Sequence, residues 1–129
     1  MQEASEAPDP KERVAVLETL IERDEEKVVP TLISALRDGD PQVREVALEM
    51  LEEADEPVPI EPLVEVALTD PSPQLRVNAL ELLIDIDEKA ALGPLKQALH
   101  DPDPQVSNLA QELLEDVEGF QEEAHEDLL

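Results

Sequence analysis

Four fourteen-residue segments recur along this chain at nearly constant spacing, and that periodicity limits the fold more than any other feature. They are Ala7–Leu20, Asp38–Leu51, Asp70–Leu83 and Asp101–Leu114, offset by 31, 32 and 31 residues. The second and third share eight of their fourteen residues, including an Asp, two Leu and one each of Pro, Gln, Arg, Ala and Glu. A period of this length points to a stack of like supersecondary units, each too small to bury its apolar face alone.

Each segment predicts a helix with its start signal. Asp9, Asp40, Ser72 and Asp103 are N-cap residues, able to accept hydrogen bonds from orphan amides. Pro10, Pro41, Pro73 and Pro104 follow at the first helical position, where a missing N–H loses nothing. Apolar residues then recur at the 3.6-residue period: Val43, Ala47, Met50 or Leu51 and Ala54; Leu75, Ala79, Leu82 or Leu83 and Ile86; Val106, Ala110, Leu113 or Leu114 and Val117. Ahead of three of these helices lie shorter apolar segments around Val28–Leu36, Ile60–Leu68 and Ala91–Leu99, with Pro30, Pro62 and Pro94 expected in or near their first turns. Strand alternation is absent. The predicted unit is a short helix A, a tight turn, a longer helix B and an acidic loop.

Composition narrows the function classes. The chain has 129 residues, with 34 Asp plus Glu against nine Lys plus Arg, a formal charge of −25. That balance opposes nucleic acid or an anionic membrane as a partner, since both need a basic footprint. No cysteine excludes disulfides, thiolate metal sites and thiol nucleophiles, and one aromatic residue excludes stacking platforms. Leu, Ile, Val and Phe together still reach 38 residues, well above the content of a disordered chain. No apolar run reaches the length of a membrane span, and the acidic first eight residues lack a signal-peptide pattern, so the cytoplasm is the expected location.

The turn DPxPQVR followed by an Ala and a Leu resembles the short HEAT-like repeat of the phycobilisome-lyase type. The matching residues are Asp38, Pro41, Val43, Arg44, Ala47 and Leu51, then Asp70, Pro73, Leu75, Arg76, Ala79 and Leu83. The pattern departs at Glu12, where Val is expected, and at Ser107, where Arg is expected. The resemblance covers Pro8 to about Val117 and implies an all-α right-handed α-α superhelix, here three helical pairs preceded by a lone B helix. It also implies a structural ladder in which Asp38, Asp70 and Asp101 take turn amides and an Arg (Arg13, Arg44 or Arg76) from their own or a neighbouring repeat. The whole chain is expected to be one repeat domain, with residues 1–8 as a flexible tail and 119–129 as a C-terminal capping helix.

Aligning the B helices by column reveals a second regularity. Glu18, Glu49, Glu81 and Glu112 fill one column, and Glu22, Glu53, Asp85 and Asp116 fill another four residues on. Residues four apart share a helix face, so eight carboxylates are expected in two rows. In HEAT-like stacks the B helices line the concave side. Leu17, Leu48, Leu80 and Ile84 are expected to form an apolar seam beside the acid, making a groove for a basic or amphipathic protein segment. A competing expectation is that the acidity is adaptation to molar salt, consistent with only four lysines in the chain.

Parts for catalysis are scarce. His100 and His125 are the sole histidines, Asp38-Gly39-Asp40 lacks the further ligands of a calcium loop, and no glycine-rich phosphate loop exists. No catalytic residue, metal ligand or cofactor is expected. The phycobilin-lyase relatives, which act as heterodimers, keep a second class open: a subunit of a heteromeric lyase or modifying enzyme. The lone first B helix, Pro10–Arg23, leaves outer apolar residues to be covered by the N-terminal tail or a second copy, so a monomer or weak homodimer is expected. Phe120, Ala124 and Leu128 recur every four residues, with Phe120 expected to cap the Leu113/Leu114 layer.

Overall fold

The computed structural model describes residues 9–23 and 28–127, without the side chains of Ile21, Arg23 and residues 118–127. The expected tail at 1–8 and the Phe120 cap, with Ala124, His125 and Leu128, lie outside what is described. Seven helices form the described residues and no strand occurs among them: α1 (Pro10–Arg23), α2 (Val28–Ala35), α3 (Pro41–Glu52), α4 (Ile60–Thr69), α5 (Pro73–Ile86), α6 (Glu88–Ala98) and α7 (Pro104–Asp127). The fold is an all-α helical repeat.

The start signals act as the sequence predicts. Oδ1 of Asp9, Asp40 and Asp103 accepts from the amides of Lys11, Gln42 and Gln105 at 2.8–2.9 Å, and Ser72 Oγ accepts from Leu75 at 3.3 Å. A tighter device joins α5 to α6. Asp87, in extended conformation, donates its N–H to Leu83 O and closes α5, while its carboxylate accepts from Ala90 N and opens α6. Because Asp87 caps α6 this early, Pro94 falls inside that helix rather than in its first turn. The Ala90 carbonyl thereby loses its usual i+4 donor.

The chain packs into two compact units, Met1–Pro62 and Leu63–Leu129. In the first, α1 packs on α2 and α3, and α2 packs on α3, around Leu17, Leu32, Val43 and Leu51. In the second, α5 packs on α6 and α7, and α6 packs on α7, around Leu80, Leu83, Leu95 and Val106. Ala47, Ala79 and Ala110 are wholly buried, as suits a close helix approach. Val16, which holds the same column in α1, is 39% exposed because no short helix precedes α1 among the described residues.

Two expectations need correction. Leu17, Leu48 and Leu80 do not line an open seam: all three are core residues, with at most 3% exposure. They stand four residues after Arg13, Arg44 and Arg76, so Leu and Arg form one stripe on each B helix. A helix flanked by two neighbours buries a wider arc than a single apolar line, and this stripe is part of that arc. Ile84 remains half-buried. The second correction concerns residues 119–127, which continue α7 without a break instead of opening a separate capping helix. One glycine costs a helix about 1 kcal/mol, too little for Gly119 to stop it among Glu and Gln neighbours.

Candidate interaction surface

The charged columns divide into buried and exposed sets. Arg13 Nε and Nη2 donate to Asp38 Oδ2 and Oδ1 at 2.7 and 2.9 Å, a two-pronged pair from α1 to the turn before α3. Arg76 makes the same fork to Asp101 at 2.8 and 2.9 Å, from α5 to the turn before α7. Each Asp also accepts from an amide two residues on, Asp40 or Asp103, at 2.9 Å. Arg44 Nη1 donates to the Asp38 carbonyl and Arg76 Nη1 to the Asp70 carbonyl, at 2.8 and 2.7 Å, while Asp70 Oδ1 accepts from Ser72. These side chains staple turns to helices, and every buried side-chain N or O among the described residues has a partner.

Electrostatics at these staples follows from the contacts. Burial works to raise the Asp38 carboxyl, but the Arg13 hydrogen bonds, the Asp40 amide and the charges of Arg13 and Arg44 outweigh it and hold it below the usual range. At Asp101 burial is likewise overcome by Arg76 and the Asp103 amide. The Arg13 and Arg76 guanidinium groups are pushed up, chiefly by their hydrogen bonds to Asp38 and Asp101. Bidentate charge-assisted pairs of this kind are strong and fix geometry.

All eight column carboxylates, Glu18, Glu22, Glu49, Glu53, Glu81, Asp85, Glu112 and Asp116, are exposed. In the second unit a hydrogen bond sets their register. Gln105 Nε2 donates to Gln74 Oε1 at 2.8 Å, joining equivalent residues of α5 and α7 on the solvent side. Two chain reversals through α6 make α5 and α7 parallel. Seven residues is two helical turns, about 10 Å, with only about 20° of rotation. Glu81 and Glu112 therefore follow Gln74 and Gln105 on the same face, with Asp85 and Asp116 one turn beyond. Half-buried Ile84 sits beside them, and Gln111 Nε2 donates to Glu115. In the first unit, α1 and α3 pack together and carry Glu18, Glu22, Glu49 and Glu53.

One charged feature of α6 lies outside the repeated columns. Lys89 and Lys96 lie two turns apart on the exposed side of α6, with exposed His100 just past its end. Leu92 and Leu99 run beside them, Leu99 being 39% exposed. The spacing is legible in the sequence, where the apolar period of this segment marks only its buried side.

A family model of HEAT repeats matches residues 1–72 and 60–129, so its matches span the whole chain. The chain belongs to the HEAT-repeat family. HEAT repeats generally mediate protein–protein interaction and typically serve as non-enzymatic scaffolds. No curated protein and no solved structure matches the chain. Among the described residues, no helix is long and apolar enough to cross a membrane, and no group of three His, Cys, Asp or Glu residues is placed to hold a metal.

Proposed function

We propose that this HEAT-repeat protein is a non-enzymatic adaptor whose exposed carboxylate faces bind a basic segment of another protein. What supports this reading most is the register of α5 and α7, since the Gln74–Gln105 bond aligns Glu81, Asp85, Glu112 and Asp116 as a four-carboxylate face. Neighbouring helices stand about 8–10 Å apart, so Lys or Arg side chains of one bound segment reach both rows. The buried Leu17, Leu48 and Leu80 hold the helices, and the apolar contribution to binding reduces to Ile84 at the margin.

The experiment is titration of a labelled Lys/Leu amphipathic peptide into the wild type and into E81K/E112K. Both glutamates are exposed, so the fold tolerates the change. Affinity is expected to fall at least roughly tenfold and to weaken with salt. Equal binding to both proteins at 150 mM salt would remove this face from the function.

A further inference from the structure

Three columns of the long helices form one stripe, and α1 alone leaves it open. In α3 the stripe is Val43, Ala47 and Leu51, and in α7 it is Val106, Ala110 and Leu114; α5 repeats it, and no residue of the three sets is more than 8% exposed. In α1 the same columns hold exposed Glu12, Val16 at 39% exposure and half-buried Leu20. These three lie within about 80° of arc, since four residues turn a helix by about 40° beyond a full circle. The element order supplies the cause. Short helices α2 and α6 precede and pack on α3 and α7, whereas none precedes α1 among the described residues.

The last long helix is finished differently. Where α5 buries Arg76 and Leu80, α7 carries half-buried Ser107 and exposed Gln111 in the same columns. Those two positions are polar and compatible with water. On the open stripe of α1 only the first position is polar, and two aliphatic side chains remain.

We infer that the Glu12–Val16–Leu20 face of α1 docks one short amphipathic helix of another protein, carrying a Leu–Ala–Leu stripe and a Lys or Arg in its last turn. The occupant is a helix because helices pack on the equivalent elements α3 and α7. It is small at its centre because Val16 stands where the buried stripes have Ala, and fills part of the gap. It runs antiparallel to α1, as α2 and α6 run to α3 and α7 after short turns, so its C-terminal end comes beside Glu12. A cation there complements both Glu12 and the carbonyl end of its own helix. Residues 1–8 are a poorer occupant, since their sequence offers one large apolar side chain, Met1, and two further acids, Glu3 and Glu6. A second copy is poorer too: a two-fold antiparallel contact centred on Val16 sets each Glu12 against Leu20 of the other copy, between two chains of −25. Glu18 and Glu22 lie at least about 120° round α1 from Val16, so this face is separate from the carboxylate columns.

The test uses two labelled helical peptides with Leu, Ala and Leu at i, i+4 and i+8 and otherwise neutral faces, one ending its last turn in Lys and one in Glu, read by fluorescence anisotropy. The Lys peptide is expected to bind the full chain more tightly than the Glu peptide, and V16E to weaken it at least roughly tenfold. E12K is expected to shift the ratio of the two affinities at least about fivefold toward the Glu peptide. E45K, the same charge change at an exposed site of α3, is expected to leave that ratio within about twofold. Positions 12 and 16 are exposed, and circular dichroism verifies that the variants fold. Four results overturn the inference: no binding of the Lys peptide up to about 1 mM, binding indifferent to V16E, a ratio unmoved by E12K, or a homodimer that V16E dissolves. V16E leaves the carboxylate columns intact and E81K/E112K leaves α1 intact, so the two proposals fail separately.

Discussion

At Asp101 a single oxygen, Oδ1, accepts from both the Asp103 amide and Arg76 Nη2, while Oδ2 takes Arg76 Nε. The folded chain thus favours the ionised carboxylate, and its pKa lies below that of the unfolded chain, which is about 3.9. A depressed acid contributes stability that is complete above the unfolded value and disappears as pH falls through the folded one. Asp101→Asn keeps an oxygen for the Asp103 amide and removes the charge. It is expected to lose about 1–2 kcal/mol at pH 7. In urea unfolding at several pH values, the gap between wild type and variant should stay constant from pH 8 to about 5 and narrow below about 4. A gap that persists undiminished at pH 2 would assign the effect to packing. The same residue scale shows what the sequence revealed and what it concealed. The Arg and Asp columns were visible from spacing, whereas the burial of Leu17, Leu48 and Leu80 was not, because it depends on how many neighbours flank each helix. The signal that could have identified them was their position four residues after the stapling arginines.

Among elements, the turns are where the repeats differ most usefully. Gly39 stands where the later copies have Pro71 and Pro102, between the stapling Asp and the N-cap. Its φ is not in the left-handed region, and a Cβ there would meet open space. The equivalent prolines occupy the same turn in front of α5 and α7. Gly39→Pro is therefore expected to stabilise the chain by about 0.5–1 kcal/mol through the unfolded state, read as a rise in melting temperature of a few degrees. A lower melting temperature would mean that this turn needs an angle proline denies. Helix starts were legible because caps and prolines act locally. Helix ends were less so: α6 begins a turn earlier than Pro94 suggested, and α7 runs through Gly119, since propensity differences of about 1 kcal/mol yield to continued helix formation.

For the whole molecule, charge sets the terms. Carboxylates one turn apart, at about 6 Å, repel by roughly 0.7 kcal/mol in water, and the i,i+4 pairs Glu18–Glu22, Glu49–Glu53, Glu81–Asp85 and Glu112–Asp116 repeat that four times. Against a total stability of about 5–15 kcal/mol this is a sizeable fraction, and it is screened within about 10 Å at 0.1 M salt. Melting temperature is therefore expected to rise by several degrees between 10 mM and 500 mM NaCl and then level off. The shape of that curve separates two origins of the acidity. Screening of local pairs saturates once the Debye length falls to a few ångströms, near 0.5–1 M. Adaptation to molar salt instead requires stability that climbs steadily through several molar and a chain unfolded near 10 mM. E81K/E112K, which moves the charge from −25 to −21 by adding four, is expected to flatten the low-salt rise while also losing the basic peptide. A flattened rise with peptide binding intact would tie these glutamates to solubility and take recognition away from them.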